Sequence, residues 1–307
     1  MAVKQDRLKA NSSKVRNRIS AMALRLAAVT LLAAPGGALA AEIKTIEPGM
    51  LTIGMNGDMP MTQIKDGQLS GTDGELMVYV AKQIGLEPNP KQMDWAAEIE
   101  STKQGKLDIM HGAMGWLESR TKIMTLSEPI YYFGTLLAQK ADTNYHSFAD
   151  MKGRKVGTVN GFTLVPELKT VDGIGEVKLY DTSDGVMQDL LAGRIDMAIL
   201  DPPLMQYAIS QHPEWKLKQI PVDPEPDKYP VMSTKYSVIF GINKSEPELA
   251  EAVNAAIKDI WKECLNVKTM AKYGLADKAW FVPPEKNPRI EVDRDANYKA
   301  PTADHCF

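Results

Sequence analysis

Few side chains in this 307-residue chain stand where they could do acid–base or covalent chemistry. The four histidines, His111, His146, His212 and His305, are scattered without the spacing of a metal site. His111 follows an apolar run, Leu107 to Met110, and reads as a half-buried histidine with its ring satisfied. A general base would instead need a cleft position and a shifted pKa. Glu118 lies two residues before Arg120 and reads as its surface partner or as a helix cap. Gly173-Ile-Gly175 lacks the third glycine and the opening strand of a dinucleotide site, and no nucleophile elbow or phosphate loop occurs. No catalytic residue, cofactor or metal is therefore expected. Recognition without reaction asks for less, since one guanidinium can grip a carboxylate with two parallel hydrogen bonds and one carboxylate can hold an ammonium. Asp201 precedes Pro202-Pro203, so it stands at a helix N-cap position, a role compatible with ligand binding.

The ends of the chain say where such a site would work. Lys4, Arg7, Lys9, Lys14, Arg16, Arg18 and Arg25 form a basic start, Leu26 to Ala34 a short apolar run, and Ala38-Leu39-Ala40 a small-residue cleavage site. Residues 1–40 thus read as an export signal cut near Ala40, leaving a soluble periplasmic product. The apolar run is too short for a ~30 Å hydrocarbon core. Without the signal's seven basic residues and one acid, Asp6, 29 basic and 38 acidic groups remain, a net charge of −9. That charge argues against nucleic acid as a partner. Cys264 and Cys306 both lie in the exported part, where an even pair suggests a disulfide.

Elements alternate along the body, as in α/β layering. Leu51 to Met55 is a short apolar strand, and Glu75 to Ile84 carries apolar residues at helical spacing until Gly85. Ala96 to Gln104 reads as a helix and Leu107 to Met110 as a buried strand. A second series begins at Arg154, with strands at Lys155–Thr158, Val177–Tyr180 and Met197–Leu200. Helices are expected at Thr163–Leu168, Gly185–Ala192 and Pro203–His212 between and after those strands. Ser245 and Glu248 have capping-box spacing before a long helix whose stripe runs from Leu249 through Cys264. After Trp280-Phe281 a polar, proline-containing tail is expected to wrap the surface.

Six short blocks then occur in one order. They are Leu51-Thr-Ile-Gly-Met-Asn56, Gly71-Thr-Asp-Gly-Glu-Leu76, Gly105-Lys-Leu-Asp-Ile109 through Glu118-Ser-Arg120, Ser127-Glu-Pro-Ile-Tyr131, Lys152-Gly-Arg-Lys-Val-Gly157 to Gly161, and Gly193-Arg-Ile-Asp196 to Asp201. Together they resemble the family-3 periplasmic solute-binding proteins of ABC transporters, the polar amino-acid-binding type. The resemblance implies a type II periplasmic binding protein, an α/β fold of two flavodoxin-like lobes joined by two crossing hinge strands. Lobe 1 would comprise residues 41–138 and 240–307, and lobe 2 residues 139–239. Arg120 matches the family's carboxylate-binding arginine and Asp201 its ammonium-binding acid, one in each lobe. Gly161, Phe162 and Thr163 would open a helix whose amides face the ligand, and Asn56 would end the opening strand beside it. Trp95 matches a ligand-facing position, and Trp116 adjoins the same loop as Gly115. Met59, Ala113 and Gly115 depart from the pattern, replacing an aromatic ring and two hydroxyls that relatives place against the ligand. The implied partners are a small-molecule ligand and an inner-membrane ABC permease, with the binding protein itself a monomer. An enzyme on the same fold, dehydratase-like and acting on a small carboxylate, is the competing expectation.

Overall fold

The computed structural model describes residues 43–307. The expected export signal and its cleavage point lie outside the described residues. In chain order the first half holds β1 (Met50–Met55), a hairpin of β2 (Gln63–Lys65) and β3 (Gln68–Ser70), α1 (Thr72–Gln83), β4 (Glu87–Gln92), α2 (Trp95–Lys103), β5 (Ile109–Met110), α3 (Glu118–Thr121) and β6 (Thr125–Leu126). The chain then crosses through β7 (Tyr131–Phe133) into β8 (Leu136–Lys140), β9 (Lys155–Val159), α4 (Val165–Leu168), β10 (Glu176–Tyr180), α5 (Ser183–Leu191), β11 (Met197–Ala198), α6 (Pro202–Gln211) and β12 (Leu217–Pro221). It returns through β13 (Tyr236–Val238) to β14 (Gly241–Ile242), α7 (Pro247–Lys262) and α8 (Leu265–Lys272).

Two five-stranded sheets result, ordered β4-β1-β5-β14-β6 and β10-β9-β11-β8-β12. In each, three parallel strands come first, with the earliest strand in the middle. That is the flavodoxin-like reversal of order expected from the sequence. Leu51 to Met55 of β1 are all buried, as a parallel strand covered on both faces requires. β7 and β13 pair antiparallel, Tyr236 opposite Phe133 and Val238 opposite Tyr131, and form the two crossing strands. β8 joins the second sheet from Leu136 onward, a little before the boundary expected at 139.

Several local readings shift. α1 begins at Thr72 on Gly71, without a side-chain cap. The amides of Thr72, Asp73 and Gly74 bond instead to the carbonyls of Pro60 and Met61. Gly71 sits at φ 99°, and a β-carbon there would meet the Met61 carbonyl oxygen at 2.3 Å, so only glycine fits. The capping box before α7 does not form. Its N-cap is Glu246 with Pro247 in the first turn, and the Ser245 hydroxyl donates to Asn243 Oδ1 at 3.0 Å. The stripe on α7 is core, with Leu249, Val253, Ala256, Ile257, Ile260 and Trp261 buried, but Cys264 falls beyond the helix, in a left-handed conformation at the N-cap of α8. The tail wraps as expected but is not wholly superficial, since Arg289 and Ala303 are buried in it. Cys264 and Cys306 are joined, 42 residues apart. No described helix is long and apolar enough to cross a membrane.

Closing a 42-residue loop restricts the unfolded chain, so the bridge contributes on the order of 3–4 kcal/mol in the chain-entropy model. Reduction, or Cys306→Ser, should shift the guanidinium unfolding midpoint downward accordingly. Coincident curves with and without reductant would contradict that assignment.

Candidate functional site

Strand order decides what meets. The carboxyl ends of β5 and β9, and the segment following β11, lie where each sheet's order reverses, the place where α/β folds gather ligands. After β5 come Ala113 to Trp116, after β9 come Gly161 to Thr163, and after β11 comes Asp201. These segments enclose a cavity lined by Trp95, Ala113, Gly115, Phe162, Thr163 and Asp201, with Phe133, Thr135 and Tyr236 from the crossing segments. It leaves about 20 Å³ open to water-sized spheres, room for little more than water as it stands.

Arg120 lies in α3 but is 5% exposed, not a surface arginine paired with Glu118. Its Nη1 donates to the Gly115 carbonyl and, at 2.9 Å, to Thr163 Oγ1, while Nη2 donates to the Gly161 carbonyl at 2.8 Å. Among the described residues it has no ion pair. Burial lowers its pKa to about 10, and the nearby Asp201 carboxylate opposes that fall, so the group stays charged at neutral pH. Asp201 stands at the N-cap of α6 but makes no capping bond, and its carboxylate has no hydrogen-bond partner among the described residues. Burial chiefly, then Asp58 and Asp73, push its pKa well above the usual carboxylate range, against the pull of Arg120.

The Trp95 indole donates to the Gly161 carbonyl at 3.2 Å and meets Phe162 edge-on at 6.1 Å. Arg120 lies 5.8 Å from the Trp95 ring centroid, within reach of a cation–π contact. Gly115 explains its own departure from the family pattern. A β-carbon there would stand 2.9 Å from Thr163 Oγ1 and 3.4 Å from the Tyr236 ring, so a hydroxyl-bearing residue has no room. Thr163 is not a helix cap, because α4 starts at Val165 with Leu164 as N-cap and spans four residues. Its hydroxyl faces Arg120 and Gly115 instead.

Asn56 and Met59 do not reach this cavity. Asn56 organises its own loop, donating to Asp58 and accepting from the Thr62 hydroxyl. Met59 lines a separate space of about 270 Å³ with Asp58, Met187, Tyr207 and Trp215. Trp116 is not among the lining residues, for its indole N–H goes to Asp293 at 3.2 Å. Sequence reading missed Asp73, which accepts the Ala113 amide at 2.8 Å and the Tyr131 hydroxyl at 3.0 Å and so holds the β5 loop. It lies in the Gly71–Leu76 block, the one available signal. Burial raises its pKa to about 6 despite those donors. Phe133, Thr135 and Tyr236 were missed as well, since nothing local marks a crossing strand as a cavity wall.

The nearest thing to a metal cluster among the described residues is Cys264, His305 and Cys306, whose two sulfurs are bonded to each other. His111 is fully buried rather than half-buried, and neither ring nitrogen has a partner.

With this geometry in view, the comparisons with known proteins are decisive. Residues 51–276 match the model of the bacterial extracellular solute-binding proteins, family 3. The chain belongs to that family. The solute-binding protein is 25% identical over 231 residues to a "Probable amino-acid-binding protein" of Bacillus subtilis (strain 168), spanning 74% of this chain and 84% of that one. It is 28% identical over 217 residues to the histidine-binding periplasmic protein of Salmonella typhimurium, spanning 67% of this chain and 80% of that one. Its fold superposes on an ancestral arginine-binding protein bound to glutamine with a TM-score of 0.66 at 25% identity, covering 75% of this chain and 99% of that one. These are binding proteins, so the expectation of an enzyme finds no support among them.

His111 supplies a test of the interior beside the site. Burial holds its pKa at about 4, below the ordinary 6.5, so its neutral form is favoured on folding. That contribution is complete above pH 6.5 and fades as pH falls toward 4, because the unfolded chain takes up the proton first. Relative to His111→Leu, the wild type should lose about 2–3 kcal/mol between pH 7 and pH 4.5. Denaturant titrations at the two pH values measure it, and parallel losses in both proteins would refute it.

Proposed function

We propose that this protein captures a small α-amino acid in the periplasm, between the loops after β5 and β9, and delivers it to an ABC permease. The carrying observation is a mismatch. The buried Asp201 carboxylate, without a donor among the described residues, lines the cavity, and the buried Arg120 guanidinium, without a carboxylate, is hydrogen-bonded to Gly115 and Thr163 of that lining. Unpaired buried charges are costly, and a zwitterion answers both at once. Its carboxylate would take the N–H groups of Arg120 not already engaged, and its ammonium would take Asp201. No histidine, cysteine or lysine lines the cavity, which favours a binder that returns its ligand unchanged over an enzyme. The amino-acid-binding relatives support the ligand class. Because the cavity is small as it stands, ligand uptake would require the loops to part and close again, with β7 and β13 as the hinge. We further propose that the exported chain acts as a monomer and that nucleic acid is no partner, given its net negative charge.

Arg120→Ala should weaken amino-acid binding by about thirtyfold to several thousandfold, the equivalent of 2–5 kcal/mol for truncating one desolvated charge partner. Arg120→Lys should restore only part, since an ammonium lacks the fork geometry. Asp201→Asn should harm amino acids yet spare a carboxylate that lacks the amine. Isothermal titration with L-arginine, L-histidine, L-cystine and L-glutamine, then with the deaminated analogue of whichever binds, separates these cases. Wild-type affinity in Arg120→Ala would end the zwitterion reading.

A further inference from the structure

The family match stops at residue 276, yet the chain continues for 31 residues, and these are built into the fold. Arg289 is fully buried in this segment. It donates to the Ser127 carbonyl at 2.8 Å and the Leu126 carbonyl at 3.3 Å, and it pairs with Asp293 at 2.7 Å. Arg294 holds Glu128 at 2.9 Å, and the Tyr132 hydroxyl donates to the Pro301 carbonyl at 2.9 Å. The partners outside the segment, Leu126, Ser127, Glu128 and Tyr132, lie on β7, the first crossing strand, or on the stretch that leads into it. The end of the segment is tied to Cys264 by the disulfide.

Asp293 does one thing more. The same carboxylate oxygen that pairs with Arg289 accepts the Trp116 indole N–H. Trp116 is the residue after Gly115, whose carbonyl holds Arg120. Its own amide donates to the Ser237 carbonyl of β13 at 2.8 Å. One tail carboxylate therefore reaches, through one indole, both the loop that orients the guanidinium and the returning crossing strand.

We propose that residues 277–307 form a strap whose Asp293 is a positioning residue for ligand binding: held by Arg289, it fixes Trp116 and thereby the Gly115 carbonyl that aims Arg120. The proposal rests on the reading of that cavity as the ligand site. If the strap merely added stability, cutting its contact to Trp116 would lower the melting temperature without altering the loop locally. A positioning strap changes the loop and the affinity while the rest of the fold is untouched.

Trp116→Phe deletes the indole N–H and leaves the Arg289–Asp293 pair intact, so it avoids stranding a buried charge. Hydrogen exchange of the ligand-free full chain should show amides of residues 113–120 exchanging about tenfold faster in this variant, with β1 and α7 unchanged. The affinity for L-arginine should fall about tenfold, the scale of one lost hydrogen bond to a charged group. Asp293→Asn, which keeps an acceptor oxygen, should fall between the variant and the wild type. Wild-type exchange at residues 113–120 in Trp116→Phe would overturn the proposal, as would a lower melting temperature without any local change. If wild type binds none of L-arginine, L-histidine, L-cystine or L-glutamine, the amino-acid reading fails, and the exchange measurement still decides the strap.

Discussion

A guanidinium that is 5% exposed must find acceptors, and those of Arg120 come from loops belonging to different sheets. The Gly115 carbonyl follows β5 of the first sheet, while the Gly161 carbonyl and the Thr163 hydroxyl follow β9 of the second. That requirement brings the two loops together and dictates much around them. Gly115 has no side chain because Thr163 occupies the space one would need. Gly161 turns its carbonyl toward Arg120 from a left-handed conformation at φ 84°, and Trp95 donates to the same oxygen. The two loops are thus tied at one charge, with the edge-on contact of Trp95 and Phe162 beside it.

Carboxylates crowd the same region. Asp58 and Asp73 each raise the pKa of Asp201, and burial raises all three. Each has a different occupation. Asp73 holds the β5 loop, and Asp58 accepts the Ser183 hydroxyl at 2.6 Å, another contact between the two halves. Of these three, only Asp201 is left without a donor among the described residues. Among the described residues, Arg120 is the cation that opposes the rise at Asp201, and an incoming ammonium would add a second.

The crossing strands are short, three residues each, and three paired residues hold little by themselves. Their lobe-1 root is fixed from outside. Arg289 and Arg294 bind the carbonyls before β7, Trp261 of α7 donates to the Pro129 carbonyl, and Asn266 of α8 to that of Ile130. With that root tied and the crossing only two strands wide, any bending between the sheets would fall in the few residues between Phe133 and Leu136 and their partners.

Periodicity made β1, α1 and the α7 stripe legible, because which face of an element is apolar is a property of local spacing. An even pair of cysteines sufficed for the disulfide, and the ordered blocks for the two-sheet fold. What failed depended on partners distant in sequence. Ser245 lost its capping role to Asn243. Thr163 turned from a helix start to a guanidinium, and Trp116 turned from the ligand cavity to a tail carboxylate 177 residues away. Asn56 and Met59 left the cavity although they follow a strand end that points toward it. Asp73 gave no local sign of holding a loop 40 residues on. The residue types and their local spacing by themselves determined the elements and the disulfide, and the pair of charges was legible only through the resemblance to family 3. Tertiary structure alone decided which loops meet, since strand order and chain crossing set those distances and no local propensity encodes them.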